Sequence, residues 1–147
     1  MKTFFSLILL FATFFLPQGC GKIPRNGLLD GQWQLTHIDQ RDVKAGRIYW
    51  AFQLDLVHWR SYGTHFKAPQ PNEGIMGRFH YNGKTLSFTK AYALMRGNDR
   101  VITPNDGLDM SPIGVPSIPT TYQIERLDAS SMVLRTATGQ QLHFRKF

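Results

Sequence analysis

Asn82-Gly83 stands between two runs that alternate apolar and polar residues, and it constrains the fold more than any other short stretch. Before it, Ile75, Gly77, Phe79 and Tyr81 alternate with Met76, Arg78 and His80; after it, Leu86 and Phe88 resume the alternation. Successive side chains of a strand point to opposite faces, so each run reads as a half-buried strand. Asparagine and glycine both tolerate positive φ, as the tight turn of an antiparallel pair requires. The stretch is therefore expected to be a β-hairpin.

The same period recurs along the chain. Trp33, Leu35 and His37 alternate with Gln34 and Thr36. Over residues 48–59 a single long strand is expected, with Trp50, Phe52, Leu54, Leu56 and His58 on one face and Tyr49, Ala51, Gln53, Asp55 and Val57 on the other. Residues 60–66 read as its hairpin partner, Tyr62 and Phe66 sharing a face. Tyr122, Ile124 and Leu127 break strict alternation once, which predicts a bulge near Arg126. Met132 and Leu134, then Leu142 and Phe144, follow across turns at residues 128–131 and Gly139. Residues 91–120 are interrupted by Pro104, Gly107, Pro112, Gly114, Pro116 and Pro119, leaving room for a short strand at 100–103 and a helical turn within 108–113. A connection this long in a compact domain is commonly functional. Short sequential strands with almost no helix predict an all-β barrel or sandwich.

The first twenty residues carry different information. Lys2 precedes an apolar run, residues 4–16, that would rise only about 20 Å as a helix. A hydrocarbon core of about 30 Å needs more, so a secretory signal is expected rather than a spanning anchor. Leu16-Pro17-Gln18-Gly19-Cys20 follows, and Cys20 is the one cysteine of the chain. An exported chain seldom keeps a single unpaired thiol without a use for it. The segment resembles the lipobox of bacterial lipoprotein precursors, in which a small residue, here Gly19, precedes the modified cysteine, here Cys20. Pro17 occupies the place where leucine is usual. The resemblance implies cleavage after residue 19, lipid on Cys20 and membrane attachment through it. Residues 20–29 then read as a lipidated tether and residues 30–147 as the folded domain. Gly21-Lys22-Ile23-Pro24 lacks the acidic residues that mark surface export in such lipoproteins, and no aspartate follows the cysteine. The resemblance thus points to the periplasmic face of the outer membrane.

The net charge of +7 falls by one when Lys2 leaves with the signal. Arginines from Arg25 to Arg145 never form a run, so a solvated basic surface is expected, and the export signal argues against a nucleic-acid partner. The five histidines, His37, His58, His65, His80 and His143, lack close metal-ligand spacing. No nucleophile elbow is present, lipidation removes the thiol, and Asp55 and Glu125 are the carboxylates within strand runs. No enzyme activity, metal or cofactor is expected.

Taken together, Asp30-Gly31-Gln32-Trp33 at the domain start, Ile113-Gly114-Val115 before Tyr122-Gln123-Ile124-Glu125, and Met132–Arg135 with residues 142–147 at its end are similar to the small lipocalin-like lipoproteins of Bacteroides-type bacteria. That resemblance implies a lipocalin-like up-and-down antiparallel β-barrel of about eight strands. It also implies an arginine of the last strand packed over the tryptophan of the first at one barrel end: Arg145 over Trp33, with Arg135 the second choice. A barrel of this size holds one small apolar ligand in its mouth or fills its own interior. Candidates for contact with such a ligand are Trp33, Trp50, Phe52, Phe88 and, if their strand turns them inward, Arg78 and His80. Most of the aromatic residues are expected simply to fill the core. The rival expectation is a protein-interaction or inhibitor module of the envelope, with a filled barrel and an apolar patch around residues 104–119.

Overall fold

A computed structural model of the chain describes residues 25–63, 74–95 and 97–147. The strands are β1 (Gly31–Ile38), β2 (Arg41–Asp42), β3 (Ile48–Gln53), β4 (Leu56–Ser61), β5 (Ile75–Tyr81), β6 (Thr85–Ala93), β7 (Arg100–Val101), β8 (Thr120–Leu127), β9 (Ser131–Thr136) and β10 (Gln141–Lys146). Eight of them pair antiparallel in the order β1-β3-β4-β5-β6-β8-β9-β10, and β10 closes back onto β1 from Trp33↔Lys146 to Ile38↔Leu142. The fold is a closed up-and-down barrel. The two short strands lie off the ring, β2 on β1 and β7 on β6. The expected signal peptide, Cys20, His65 and Phe66 lie outside the described residues.

The alternation places the core. Trp33 and Leu35, Trp50 and Phe52, Ile75, Gly77 and Phe79, Leu86 and Phe88, Met132 and Leu134, and Leu142 and Phe144 all point inward and are buried. The hairpin at Asn82 forms as expected, with a different turn. Only Gly83 takes positive φ (+88°), while the Asn82 side chain accepts from the Lys84 and Thr85 amides at 3.0 and 2.8 Å. The bulge near Arg126 is present, as the β8–β9 register shifts between Ile124 and Arg126. The turn before β9 is built on Asp128, whose Oδ1 accepts from the Ser130 and Ser131 amides at 2.8 Å. Those bonds and Arg126 hold its carboxyl well below the usual carboxylate range.

The expected long strand over residues 48–59 is two strands. Leu54 sits in the left-handed region (φ 58°), and Leu54-Asp55 turn the chain back on itself. The reversal exchanges the faces: Val57 and Trp59 point inward, Leu56 and His58 outward, and Leu54 is exposed at the tip. The hairpin partner of β3 is therefore β4, not residues 60–66. Trp59 fills space that Gly77 leaves on the neighbouring strand, where a Cβ would overlap the indole ring.

Candidate functional site

The barrel interior is occupied by its own side chains. Trp50 lies at the centre, its ring 4.8–6.3 Å from those of Phe52, Trp59, Phe88, Tyr122 and Phe144. Most of these pairs are edge-to-face, which adds about 0.5–1.5 kcal/mol per pair beyond area burial. Trp33, Trp50, Trp59, Phe88 and Tyr122 have no exposed surface.

Both ends are closed. Where the chain enters, Gly27–Leu29 make one 3-10 turn, Leu29 is fully buried, and its carbonyl accepts from Trp33 Nε1 at 2.8 Å. The end of the expected tether thus belongs to the fold. At the opposite end, residues 102–119 cross the mouth with 3-10 turns at Pro104–Asp106 and Ser111–Ile113. Met110, Ile113 and Val115 are buried. The Ile113 carbonyl accepts from Trp50 Nε1 at 3.0 Å and the Gly114 carbonyl from the Tyr122 hydroxyl at 2.8 Å. Burial pushes the Tyr122 phenol far above its ordinary range, against a smaller opposing effect of Thr120, so it remains a donor. Among the described residues, the exposed large apolar ones, Leu28, Leu54, Tyr62, Met95, Val101 and Phe147, all lie outside residues 104–119. The expected patch there is replaced by an inserted cap.

Open space is found on the outer surface. A groove of about 990 Å³ runs over β1, β3, β4 and β5 near the entry end. Tyr49, Ala51, Leu56 and Met76 form its apolar floor, Leu54 stands at one end, and Arg25, Asp30 and Arg60 are its charged members. Direct cross-strand pairing builds the floor, with Ala51 opposite His58 and His58 opposite Met76. Asp30 accepts from the Asn26 amide at 3.0 Å and from its side chain at 2.6 Å, while Arg60 Nε lies 3.2 Å from His58 Nδ1. Next to the groove, Tyr49 carries Phe147 and Tyr62 edge-on at 5.0 and 5.9 Å.

A family model for a lipocalin-like domain matches residues 12–147. The chain belongs to the lipocalin-like domain family. Among solved structures, a lipocalin-like protein from Bacteroides uniformis is similar at 21% identity and a TM-score of 0.54, over 82% of this chain and 100% of that one. An uncharacterized protein from Bacteroides eggerthii is similar at 17% identity and a TM-score of 0.52, over 81% of this chain and 99% of that one. No curated protein matches the chain.

Within this lipocalin-like barrel the residues singled out from the sequence separate into two groups. Trp33, Trp50, Phe52 and Phe88 are interior and buried, and of these Phe52 also borders the outer groove. Arg78 and His80 do not face inward. The pleat gives the inside of β5 to Ile75, Gly77 and Phe79, so Arg78 and His80 are exposed, and Arg78 pairs with Asp55. The barrel-end contact is also reassigned. Arg145 is exposed and donates to Gln34 Oε1 at 2.7 Å, whereas Lys146 Nζ lies 4.2 Å from the centre of the Trp33 ring. Arg135 is bound outside to Glu125 at 2.5 Å. Parity decides the matter: Leu142, Phe144 and Lys146 share the inner face of β10, and Lys146 stands directly opposite Trp33. Its ammonium also donates to the Leu28 carbonyl at 3.1 Å and to that of Asp30. Burial lowers the Lys146 pKa and the Asp30 charge opposes that shift. A Cβ at Gly31 would come within 3.1 Å of the ammonium, so the glycine leaves room for the cation as well as taking positive φ (+107°). Counting inward from Phe144 finds Lys146; no sequence signal finds the groove.

Proposed function

We propose that the chain is a lipid-anchored, non-catalytic lipoprotein of the outer membrane, held through Cys20 at the periplasmic face. Its barrel binds an apolar ligand with an anionic end, and it does so in the outer groove. The carrying observation is the apolar floor of Tyr49, Ala51, Leu56 and Met76 between Arg25 and Arg60, on a barrel whose interior is already filled. Its volume of about 990 Å³ suits a small molecule, for which sites of roughly 300–1,000 Å³ are usual. Guanidinium groups pair well with carboxylate or phosphate, and Asp30 is already engaged by Asn26. Arg25 is five positions after Cys20, a reach of at most about 18 Å, so an acyl anchor there keeps the groove close to the lipid surface.

The test uses the mature chain with palmitate as the probe, read by native mass spectrometry. Met76→Asp should abolish binding, and Tyr122→Phe, which alters only the interior, should retain it. No palmitate adduct and no copurifying apolar molecule would end this reading. Metabolic labelling with palmitate tests the anchor separately: Cys20→Ala should remove the label, and undiminished labelling would overturn it. A second reading, a protein-interaction module, is favoured by the strip of Tyr62, Tyr49 and Phe147, in which Phe147 is 69% exposed. A photocrosslinker at Tyr62 should then capture one envelope protein well above its abundance.

A further inference from the structure

His37 on β1 and His143 on β10 are direct partners across the strand pair that closes the barrel. Thr36 lies at a bulge, where the register shifts between Leu35 and His37, and this turns His37 outward between the inward Leu35 and Ile38. The two imidazoles stand with ring centres 6.3 Å apart and planes at 86°. Metal–nitrogen bonds of about 2.0–2.1 Å place the centres of two imidazoles on one ion roughly 5–6.5 Å apart. At 6.3 Å the pair sits at the upper end of that span, which a near-trans arrangement of the two nitrogens on one ion reaches. Asp42 on β2 is the partner of His37 on its other side, so His143, His37 and Asp42 form one row across three strands.

Thr36 sets the proton arrangement. Its hydroxyl donates to the His143 carbonyl at 2.9 Å, so its oxygen accepts from His37 Nδ1–H at 3.2 Å. That fixes the tautomer that leaves Nε2 of His37 as the ligand atom, as the outer partners of metal-binding histidines do. The charge around the pair is also suitable. Asp42 carries its negative charge below the usual carboxylate range because the Lys44 amide and ammonium bind it, with a minor effect from His37. Glu125, on the side of His143, is held low chiefly by Arg135 and Gln141. Nearby cations are occupied: Lys44 on Asp42 at 3.0 Å, Arg135 on Glu125 at 2.5 Å, and Arg145, on the same face of β10 as His143, on Gln34 at 2.7 Å.

We infer that His37 and His143 form a surface site for a late first-row divalent transition ion, with Cu2+ bound most tightly. Among the described residues no three such side chains converge on a point, and both Asp42 oxygens are taken by Lys44, so the two nitrogens carry the site and water completes it. Imidazole nitrogen favours Cu2+ over Zn2+ in the usual order of affinities. The site lies on the β1–β10 seam, apart from the ligand groove, and is independent of it.

The experiment uses the untagged mature chain with Cu2+ alone, read by titration calorimetry and electron paramagnetic resonance. One ion should bind per chain, with superhyperfine structure from two nitrogens. His37→Gln and His143→Gln should each remove the equimolar phase, and Thr36→Val should weaken it on the order of tenfold through the lost tautomer control. His80→Gln should leave it intact, and thermal melting of each variant checks that the barrel is folded. Unchanged equimolar binding in the folded His37→Gln/His143→Gln double variant, or no equimolar phase in the wild type, would overturn the site.

Discussion

Where the chain enters the barrel, one 3-10 turn buries Leu29 and offers its carbonyl to an indole four residues later. At the other end a similar turn buries Ile113 and offers its carbonyl to the Trp50 indole, 63 residues away in sequence. The devices are alike, but the segments that carry them are not. The entry plug is a short turn directly continuous with β1, and Lys146 covers the indole it binds. The mouth cap is a long crossing between β7 and β8, and ordering each of its residues costs about 1–2 kcal/mol of backbone entropy. A longer segment therefore needs more fixed contacts, and this one has them: Met110 and Val115 buried, Tyr122 on Gly114, and Asp106 tying Arg100 to Thr103. The cap bonds to Trp50 at the centre of the aromatic cluster, whereas the plug bonds to Trp33, whose ring is covered by Lys146.

This difference predicts unequal costs at the two tryptophans. Trp50→Ala removes the ring that meets five other aromatics and leaves the Ile113 carbonyl without its donor. A cost of about 3–5 kcal/mol is expected from lost packing, with about 1–3 more for the orphaned carbonyl. Trp33→Ala should cost less, because Leu29 and Lys146 collapse more easily onto the vacated space than a closed ring cluster does. Urea unfolding of both variants measures this, and equal destabilisation would show that the ends are equivalent. A smaller change isolates the cap. Tyr122→Phe keeps the ring and removes the donor to Gly114, for an expected loss of about 1–3 kcal/mol. Hydrogen exchange should quicken over residues 110–116 and not over 27–33; uniform acceleration would mean that the cap does not open by itself.

The strands were legible because period two survives in nearly every one of them, and the closing pair because Leu142 and Phe144 alternate to the end of the chain. The errors have local causes. Leu54 is an apolar residue in a left-handed turn, so the pattern counts it as interior and carries the wrong parity past it, hiding Trp59. The resemblance names Arg145, then Arg135, for the Trp33 contact, although the parity of β10 excludes Arg145 from that side and gives the place to Lys146. Prolines and glycines mark residues 91–120 as irregular, but no periodicity tells which of its apolar residues turn inward. The groove is further from the sequence still. Its floor comes from the outward residues of β3, β4 and β5, and Arg25, far from them in sequence, joins them at its border. The polar-looking face of each strand carries that information, and alternation alone does not read it.

The smallest effect expected is acid loosening of the cap. Asp106 Oδ2 accepts from the Thr103 amide at 2.7 Å and the Thr103 hydroxyl at 3.0 Å, and its other oxygen takes Arg100. The Thr103 amide bond, then Arg100, hold its carboxyl below the usual value. A carboxylate with a lowered folded pKa contributes stability that is fully present above its unfolded value near about 4 and is lost as pH falls through the folded one. Exchange protection at the Thr103 and Asp106 amides should therefore fall in that acid window in the wild type. In Asp106→Asn, protection should be lower at neutral pH and should no longer respond to acid through this group. The relevant quantity is the difference between the two proteins, which cancels the shared response of Asp128 and Glu125. A difference that stays constant from neutral pH down through the acid window would remove Asp106 from the account. The mouth would then be held by its buried side chains and carbonyl bonds alone.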